Sequence, residues 1–316
     1  TATASEAVTV AGVPTIPLVV GKTTRQAAYV ASSSTSTSLV FEYTVQPGET
    51  DTDGIAISGR TIVLPTGASI RDAAGNAANL AITPPNLAGV LVDSAGPLAT
   101  SITPPAVGAY GPSKPIDLVV TFDEPVVVTG FPTLPVQIGS AARNGVFSGF
   151  QARSNNRSLI FRVTPLAGDV DTDGISITGP LGLTGGAGIA DAAGNAATGT
   201  LPGVNLSRIL VDGVGPTITS VDDPDYDGSG RPFVRVRFNE PVRVSGTPTI
   251  PFQLGGSPRQ LSYVAGNNST VLTFRYEPRR TDNFDNEITF GSVIVLGVGG
   301  RITDSVGNAI ASLTLP

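Results

Sequence analysis

Short runs of alternating apolar and polar residues dominate the chain, and glycine, proline, asparagine or aspartate bounds each run. Many of the apolar positions carry β-branched side chains. Alternation with a period of two is typical of strands that bury one face. The clearest runs in the middle of the chain span residues 115–122, 133–138, 145–151, 158–164, 175–177 and 207–211. The pattern therefore predicts an all-β fold of short strands.

Sequence motifs return along the chain at a long, regular spacing. The heptapeptide DAAGNAA begins at Asp72 and again at Asp191, 119 residues further on. A longer motif, FDEPVVVTGFPTLPVQIG, starts at Phe122 and returns as FNEPVRVSGTPTIPFQLG at Phe238. Repetition at this period indicates stacked copies of one supersecondary unit. It predicts three tandem domains over residues 1–96, 97–215 and 216–316.

Both terminal repeats are shorter than the middle one. The first lacks most of what residues 98–123 supply, and the third lacks the closing strand at 207–212. Such gaps leave an unpaired strand edge and an open core position. Two alternatives follow: the chain is a piece of a longer array, or a strand from a neighbour completes it, as in β-strand addition. For the second alternative, the candidate donor is the segment 1–14, predicted to add to the third repeat of the next copy.

Prolines give one further expectation about strand position. Pro132 and Pro135 flank and interrupt a short apolar run, and proline cannot donate a ladder hydrogen bond. The run at 133–138 is therefore expected to lie at a sheet edge.

Composition removes several classes of function. The 316 residues include no Cys, Met, Trp or His, which excludes thiolate and imidazole catalysis and nitrogen or sulfur metal ligands. The net charge of −6 argues against nucleic acid as a partner, because phosphate binding needs clustered cations. No apolar run approaches the ~20 residues that a spanning helix needs, so direct membrane insertion is not expected.

The repeated motifs resemble a known class of protein module. EPVVVTG, PTLPVQIG, GDVDTDGI, IADAAGNAA and ILVDGVGP together resemble the bacterial Ig-like repeats of large cell-surface adhesins and of secreted surface or filament proteins. The resemblance extends over nearly the whole chain. It implies three Ig-like β-sandwiches, an extracellular or cell-surface location, and no catalytic residues. We expect a structural subunit of an extracellular fibre, sheath or surface layer; the alternative is a spacer segment of a giant adhesin.

Carboxylates at alternate positions before a glycine suggest calcium. Hard oxygen ligands at positions one, three and five, with glycine at six, are what a calcium loop needs. The strongest run lies between the second and third repeats, and similar runs occur within repeats one and two. The candidate ligands are Asp223, Asp225 and Asp227, then Asp169, Asp171 and Asp173, and then Asp51 and Asp53, the last pair preceded by Glu49. A weaker third copy consists of Asp282, Asp285 and Glu287. Ordinary turn formation explains the same residues without a metal.

Three other groups of acidic residues receive separate interpretations. The D-x-x-G-N motifs at Asp72, Asp191 and Asp304 predict structural turns with glycine at positive φ. Asp93 and Asp212 precede the linkers, where they are candidates either for turn capping or for a junction metal. Glu124 and Glu240 follow Asp123 and Asn239; a glycosidase pair is rejected, because sugar clefts normally present aromatic platforms and Trp is absent.

Overall fold

The computed structural model describes residues 1–284 and 288–316, and strands dominate it. Asp285 and Glu287, part of the weak third carboxylate run, lie outside the described residues. The residues of the first repeat form β1 (Ala2–Thr3), β2 (Val8–Ala11), β3 (Thr15–Val20), β4 (Thr23–Tyr29), β5 (Ser38–Leu39), β6 (Phe41–Glu42), β7 (Thr50–Asp51), β8 (Ala56–Ile57), β9 (Ser69–Asp72) and β10 (Val92–Asp93). A 3-10 turn at Ala31–Ser33 separates β4 from β5.

The residues of the second repeat form eleven further strands. They are β11 (Ala99–Thr103), β12 (Gly108–Tyr110), β13 (Ile116–Phe122), β14 (Val127–Thr129), β15 (Thr133–Ile138), β16 (Ala141–Phe150), β17 (Ser158–Val163), β18 (Val170–Asp171), β19 (Ser176–Ile177), β20 (Gly188–Ala190) and β21 (Ile209–Asp212). The predicted runs coincide with these strands to within a few residues, and the all-β prediction is confirmed.

The residues of the third repeat form the last eight strands described. They are β22 (Ile218–Val221), β23 (Asp225–Tyr226), β24 (Pro232–Ser245), β25 (Thr249–Leu254), β26 (Ser257–Ala265), β27 (Ser269–Arg275), β28 (Ile288–Phe290) and β29 (Arg301–Thr303).

The described residues divide into two compact units. One comprises Thr1–Leu98, Phe122–Thr129 and Gly188–Thr198; the other comprises Ala99–Thr121, Gly130–Ala187 and Gly199–Pro316. This division does not follow the repeat boundaries at 96 and 215, so the three-domain count stays a prediction.

The first unit is built around a four-stranded antiparallel sheet in the order β6-β4-β3-β8. The strand pairs β1-β5, β2-β9, β7-β10 and β14-β20 accompany it. Its core includes the buried side chains of Ile16, Leu39, Ile62 and Ile70. Strand β2 pairs with β9 from Val8↔Asp72 to Ala11↔Ser69. The proposed donor segment is therefore engaged in its own unit, and donation would first have to break this pairing.

The second unit contains two large sheets. One has the order β11-β13-β17-β16-β15-β19, and the other has the order β22-β24-β27-β26-β25-β28, with β23 and β29 also paired to β24. A smaller sheet, β12-β21-β18, has a parallel β12-β21 pair. Inward positions of β13 and β17 are fully buried because apolar residues alternate along both strands.

Strand β15 is an interior strand, which corrects the expectation of a sheet edge. It lies between β16 and β19 in the sheet. Pro135 is tolerated because β19 pairs only with Val136 and Gln137, beyond the missing N–H. The Pro135 carbonyl still accepts a hydrogen bond from the Thr178 N–H at 3.2 Å.

Candidate functional site

The side chain of Asp282 is fully buried, and its carboxylate accepts four hydrogen bonds from protein groups. Arg259 donates to Oδ1 from Nε at 3.0 Å and from Nη2 at 2.7 Å. The Tyr276 hydroxyl and the Arg279 N–H donate to Oδ2 at 2.5 and 2.6 Å. The tyrosine bond is the largest cause that lowers the pKa of Asp282 to about 2, and burial opposes it. This carboxylate therefore acts as a structural anion that joins Arg259, Tyr276 and the Arg279 N–H.

Equivalent arginine–carboxylate pairs occur in the other two repeats. Arg143 donates to Asp169 from Nε at 2.9 Å and from Nη2 at 2.5 Å. Arg25 pairs with Glu49, and the hydroxyl of Tyr43 donates to both carboxylate oxygens of Glu49 at 2.7 and 2.6 Å. The Tyr43 bond is the largest cause that lowers the pKa of Glu49. Asp169, predicted as a calcium ligand, is thus neutralised by an arginine.

Asp171 holds a hairpin turn against the loop in which it lies. Its Oδ2 accepts the Gly139 N–H at 2.7 Å, and its Oδ1 accepts the Gly174 N–H at 2.6 Å. Gly139 has φ of 52°, and a Cβ there would lie 2.2 Å from the Val170 carbonyl oxygen, so only glycine fits this turn. Asp51 makes the equivalent two bonds in the first repeat. Both predicted ligands therefore act as turn caps.

The remaining predicted ligands of these two loops are Asp53 and Asp173, and both are exposed. Among the described residues, neither loop contributes to a group of three or more acidic side chains within metal-binding reach. Calcium binding at these loops stays a prediction.

The predicted loop at residues 223–227 forms a β-hairpin. Asp225 lies in β23, which pairs antiparallel with the start of β24. Asp227 Oδ1 accepts the N–H groups of Ser229 and Arg231 at 2.9 and 3.0 Å, as a turn-capping aspartate does. Asp223 is exposed. These carboxylates are not gathered into a three-ligand group in the part of the chain that the structure describes.

Carboxylates do converge in threes at two other places among the described residues. One group joins Asp93, Glu124 and Asp191 in the first unit, and the other joins Asp212, Glu240 and Asp304 in the second. In each group, one oxygen of every residue lies within 4.8 Å of the others. The two groups occupy the same places in the repeat, since each combines the last strand of one repeat with the E-P and D-x-x-G-N motifs of the next.

An asparagine from the predicted D-x-x-G-N turn forms hydrogen bonds within each carboxylate group. Asn195 Nδ2 donates to Asp191 Oδ2 at 2.7 Å and to the carbonyl oxygen of Asp93 at 3.0 Å. Asn308 Nδ2 makes the same two bonds to Asp304 and Asp212, at 2.6 and 2.8 Å. The prediction of structural turns is confirmed, because Gly194 and its equivalents have φ near 90–100°. The asparagine also fixes the end of the preceding repeat.

In the second group, repulsion between the carboxylates disfavours the state in which all three are ionised. Burial raises the pKa of Glu240, and the negative charges of Asp212 and Asp304 raise it further. A bound cation would relieve this repulsion, and carboxylate oxygens are the ligands that calcium prefers. The sequence did not group Asp212, Glu240 and Asp304 because each lies in a different motif. The signal that could have grouped them is that these three motifs recur together along the chain.

An apolar cleft opens beside β6 in the first unit. Its volume is about 620 Å³, and Thr1, Ala2, Phe41 and Tyr43 are among the residues that line it. Val90, also in the lining, is 45% exposed. Strand β6 is the terminal strand of its sheet, so it offers an edge beside this cleft.

Comparisons with models of known protein families, with curated proteins and with solved structures found no match. Within the described residues, no helix has the length and apolar character needed to cross a membrane. The fold defines the chain as an all-β protein.

Proposed function

We propose that this chain is a non-enzymatic structural subunit of an extracellular fibre, sheath or surface layer, assembled head to tail by β-strand complementation. In this proposal its repeats are bacterial Ig-like modules, and its partners are neighbouring copies or neighbouring repeats. The single observation that carries the proposal is the apolar cleft at the β6 edge, because an open core position beside an unpaired strand edge is a template for strand addition.

The middle repeat provides the comparison that makes this cleft informative. Ile209 of the middle repeat is equivalent to Val90 of the first, since both precede the same L-V-D motif. Ile209 is only 2% exposed and pairs with β12, whereas Val90 is 45% exposed. Apolar side chains that one repeat covers thus remain in contact with water in the other. A partner that covered them would gain ~25 cal/mol for each Å² of apolar surface removed from water.

Calcium is part of the proposal, and we place it at the two carboxylate groups. Oxygen ligands within 4.8 Å of one another suit a hard divalent cation, and the group recurs at equivalent places in two repeats. In each group, Asp93 or Asp212 comes from the strand that precedes the linker. A cation at these positions would stiffen the link between consecutive repeats by neutralising their mutual repulsion.

The alternative function is a spacer segment of a giant adhesin. In that case the strand position beside β6 is filled within a continuous array, and separate chains do not exchange strands. Both alternatives fit the extracellular or cell-surface location that the resemblance to bacterial Ig-like repeats implies.

Hydrogen exchange on assembled native material distinguishes them. We expect regular fibres in negative-stain electron microscopy, and stronger amide protection at residues 41–45 in fibres than in dispersed chains. The matched control is the equivalent segment 161–165, which begins within β17; β13 already pairs with residues 161–163, so their protection should not change. Isolated rods of much heavier chains, with equal protection at both segments, would favour the spacer.

A further inference from the structure

The end of the second repeat lies against the D-x-x-G-N turn of the third. Asn308 Nδ2 donates a hydrogen bond at 2.8 Å to the carbonyl oxygen of Asp212, the last residue of β21. In the linker that follows, Gly215 approaches the same turn so closely that a Cβ there would clash with the carbonyl oxygen of Ala309. Glycine is the residue that permits such a close approach of two backbones. The linker is therefore fitted to the turn.

A second element of the second repeat contacts the same turn. Residues 111–114 form a tight turn, closed by a backbone hydrogen bond of 2.9 Å. The hydroxyl of Ser113 donates to the carbonyl oxygen of Val306 at 2.9 Å. A Cβ on Gly111 would lie 2.8 Å from the Asp212 carbonyl oxygen and 3.2 Å from the side chain of Val306. The tight turn, the linker and the D-x-x-G-N turn thus meet at one place.

The contact between linker and turn recurs one repeat earlier. Asn195 Nδ2 donates to the carbonyl oxygen of Asp93 at 3.0 Å, and a Cβ on Gly96 would clash with the carbonyl oxygen of Ala196. The first compact unit accordingly includes Gly188–Thr198, although these residues belong to the second repeat by sequence. The same geometry at both junctions indicates a general property of the repeat.

The groups that make these contacts carry no charge. They are an asparagine amide, a serine hydroxyl, backbone carbonyls and glycine backbone. Salt screens interactions between charges, so it has little effect on contacts of this kind. The carboxylates of Asp212, Glu240 and Asp304 lie nearby, but the hydrogen bond from Asn308 to the second repeat goes to a backbone carbonyl oxygen and not to a carboxylate of that repeat. These contacts therefore need no bound cation.

We propose that the D-x-x-G-N turn is the docking surface for the end of the preceding repeat. In the second unit, residues 111–114, 212–215 and 304–309 form a clasp that holds the third repeat in one orientation against the second without a cation. This inference goes beyond the proposed function, because the clasp acts within a single chain whether or not chains assemble. A cation at the neighbouring carboxylates adds to an orientation that the clasp already sets.

A distance measurement between spin labels on the full chain tests the clasp. The chain has no Cys, so Asn144→Cys and Gln260→Cys introduce two unique labelling sites. Both residues are exposed, and they lie in β16 and β26. Double electron–electron resonance in calcium-free buffer with a chelator should give a single narrow distance distribution, and raising the salt concentration should leave it unchanged.

A pair of glycine substitutions provides the matched variant and control. Neither Gly215 nor Gly203 has a positive φ, so the backbone tolerates alanine at both positions. Gly215→Ala inserts a methyl group between the linker and the turn, and the labelled chain should lose its narrow distribution. Gly203 has open space around it, so Gly203→Ala should keep the distribution of the unchanged chain.

A milder variant keeps the test valid if Gly215→Ala perturbs folding, which circular dichroism would reveal. Ser113 is exposed, and Ser113→Ala removes its hydrogen bond to Val306 without altering a strand. This variant should broaden the distance distribution in the same calcium-free buffer.

Two results would overturn the clasp. One is a broad distribution in the unchanged chain that narrows only when calcium is added, which would assign the orientation to the carboxylates and their cation. The other is a narrow distribution that persists in folded Gly215→Ala and Ser113→Ala chains. Both measurements use dispersed chains, so neither result bears on whether native material forms fibres.

Discussion

Replacing one phenylalanine by alanine at equivalent positions of two repeats measures how open the cleft is. Phe161 is fully buried and packs edge-to-face against Phe147, with ring centroids 6.3 Å apart. Phe41 makes the equivalent contact with Tyr29 at 6.0 Å but is only partly buried. Phe161→Ala should destabilise its surroundings by about 3–5 kcal/mol, the usual cost of removing a buried phenylalanine. Phe41→Ala should cost roughly half as much or less, because part of the ring remains in water.

Native-state hydrogen exchange by mass spectrometry is the appropriate assay, since two compact units need not unfold in one transition. Peptides that cover β4 and β6 report on Phe41→Ala, and peptides that cover β16 and β17 report on Phe161→Ala. With Phe161→Ala, amide exchange in β16 and β17 should accelerate by about 100-fold or more, because every ~1.4 kcal/mol of lost stability is a factor of ten in the opening equilibrium.

A variant whose N-terminal extension fills the cleft completes this experiment. Adding Pro-Ile-Lys-Leu before Thr1 should place isoleucine and leucine at the positions of Ile116 and Leu118. In this background the cost of Phe41→Ala should rise toward that of Phe161→Ala. Equal costs at the two positions without the extension would refute the reasoning, because they would mean that the cleft is closed in solution.

Three further predictions address the carboxylates and the turns. Asp282→Asn should destabilise the second unit at neutral pH. Because the folded pKa of Asp282 lies below its ordinary value, the stability that this carboxylate contributes is present above about pH 4 and is lost as the pH falls toward 2. Urea titrations at several pH values would detect this loss. Gly139→Ala should cost about 1–3 kcal/mol in chemical denaturation, while Gly203→Ala, which has open space around it, should cost well under 1 kcal/mol beyond propensity effects. Glu240→Gln should raise the melting temperature in calcium-free buffer, because the raised pKa of Glu240 means that its ionised form is unfavourable in the fold at neutral pH. The same variant should show a smaller rise in melting temperature when calcium is added, whereas the control Asp225→Asn should keep the full rise.

Much of the fold follows from local sequence, as the strand at residues 133–138 illustrates. Its alternating apolar residues predicted the strand to the residue. Its position in the sheet was predicted wrongly, because the pairing of Pro135 depends on where the two-residue β19 ends. Local patterns determine which face of a strand is buried, whereas neighbours in the sheet come from distant residues.

The roles of the carboxylates were harder to predict for the same reason. Asp169 lies in a calcium-like spacing, but its partner is Arg143 on a different strand. Asp93 and Asp191 are far apart in sequence, and only the folded chain brings them together with Glu124. Spacing along the chain identifies residues suited to bind a cation, but it does not reveal which arginine or backbone N–H forms hydrogen bonds with them in the fold.

Amide exchange at residues 41–43, compared between assembled and dispersed chains of the native material, tests strand complementation most directly. The proposal predicts that these amides become protected on assembly, while those at 161–163 keep the same protection in both states. Regular fibres with unchanged exchange at residues 41–43 would contradict it.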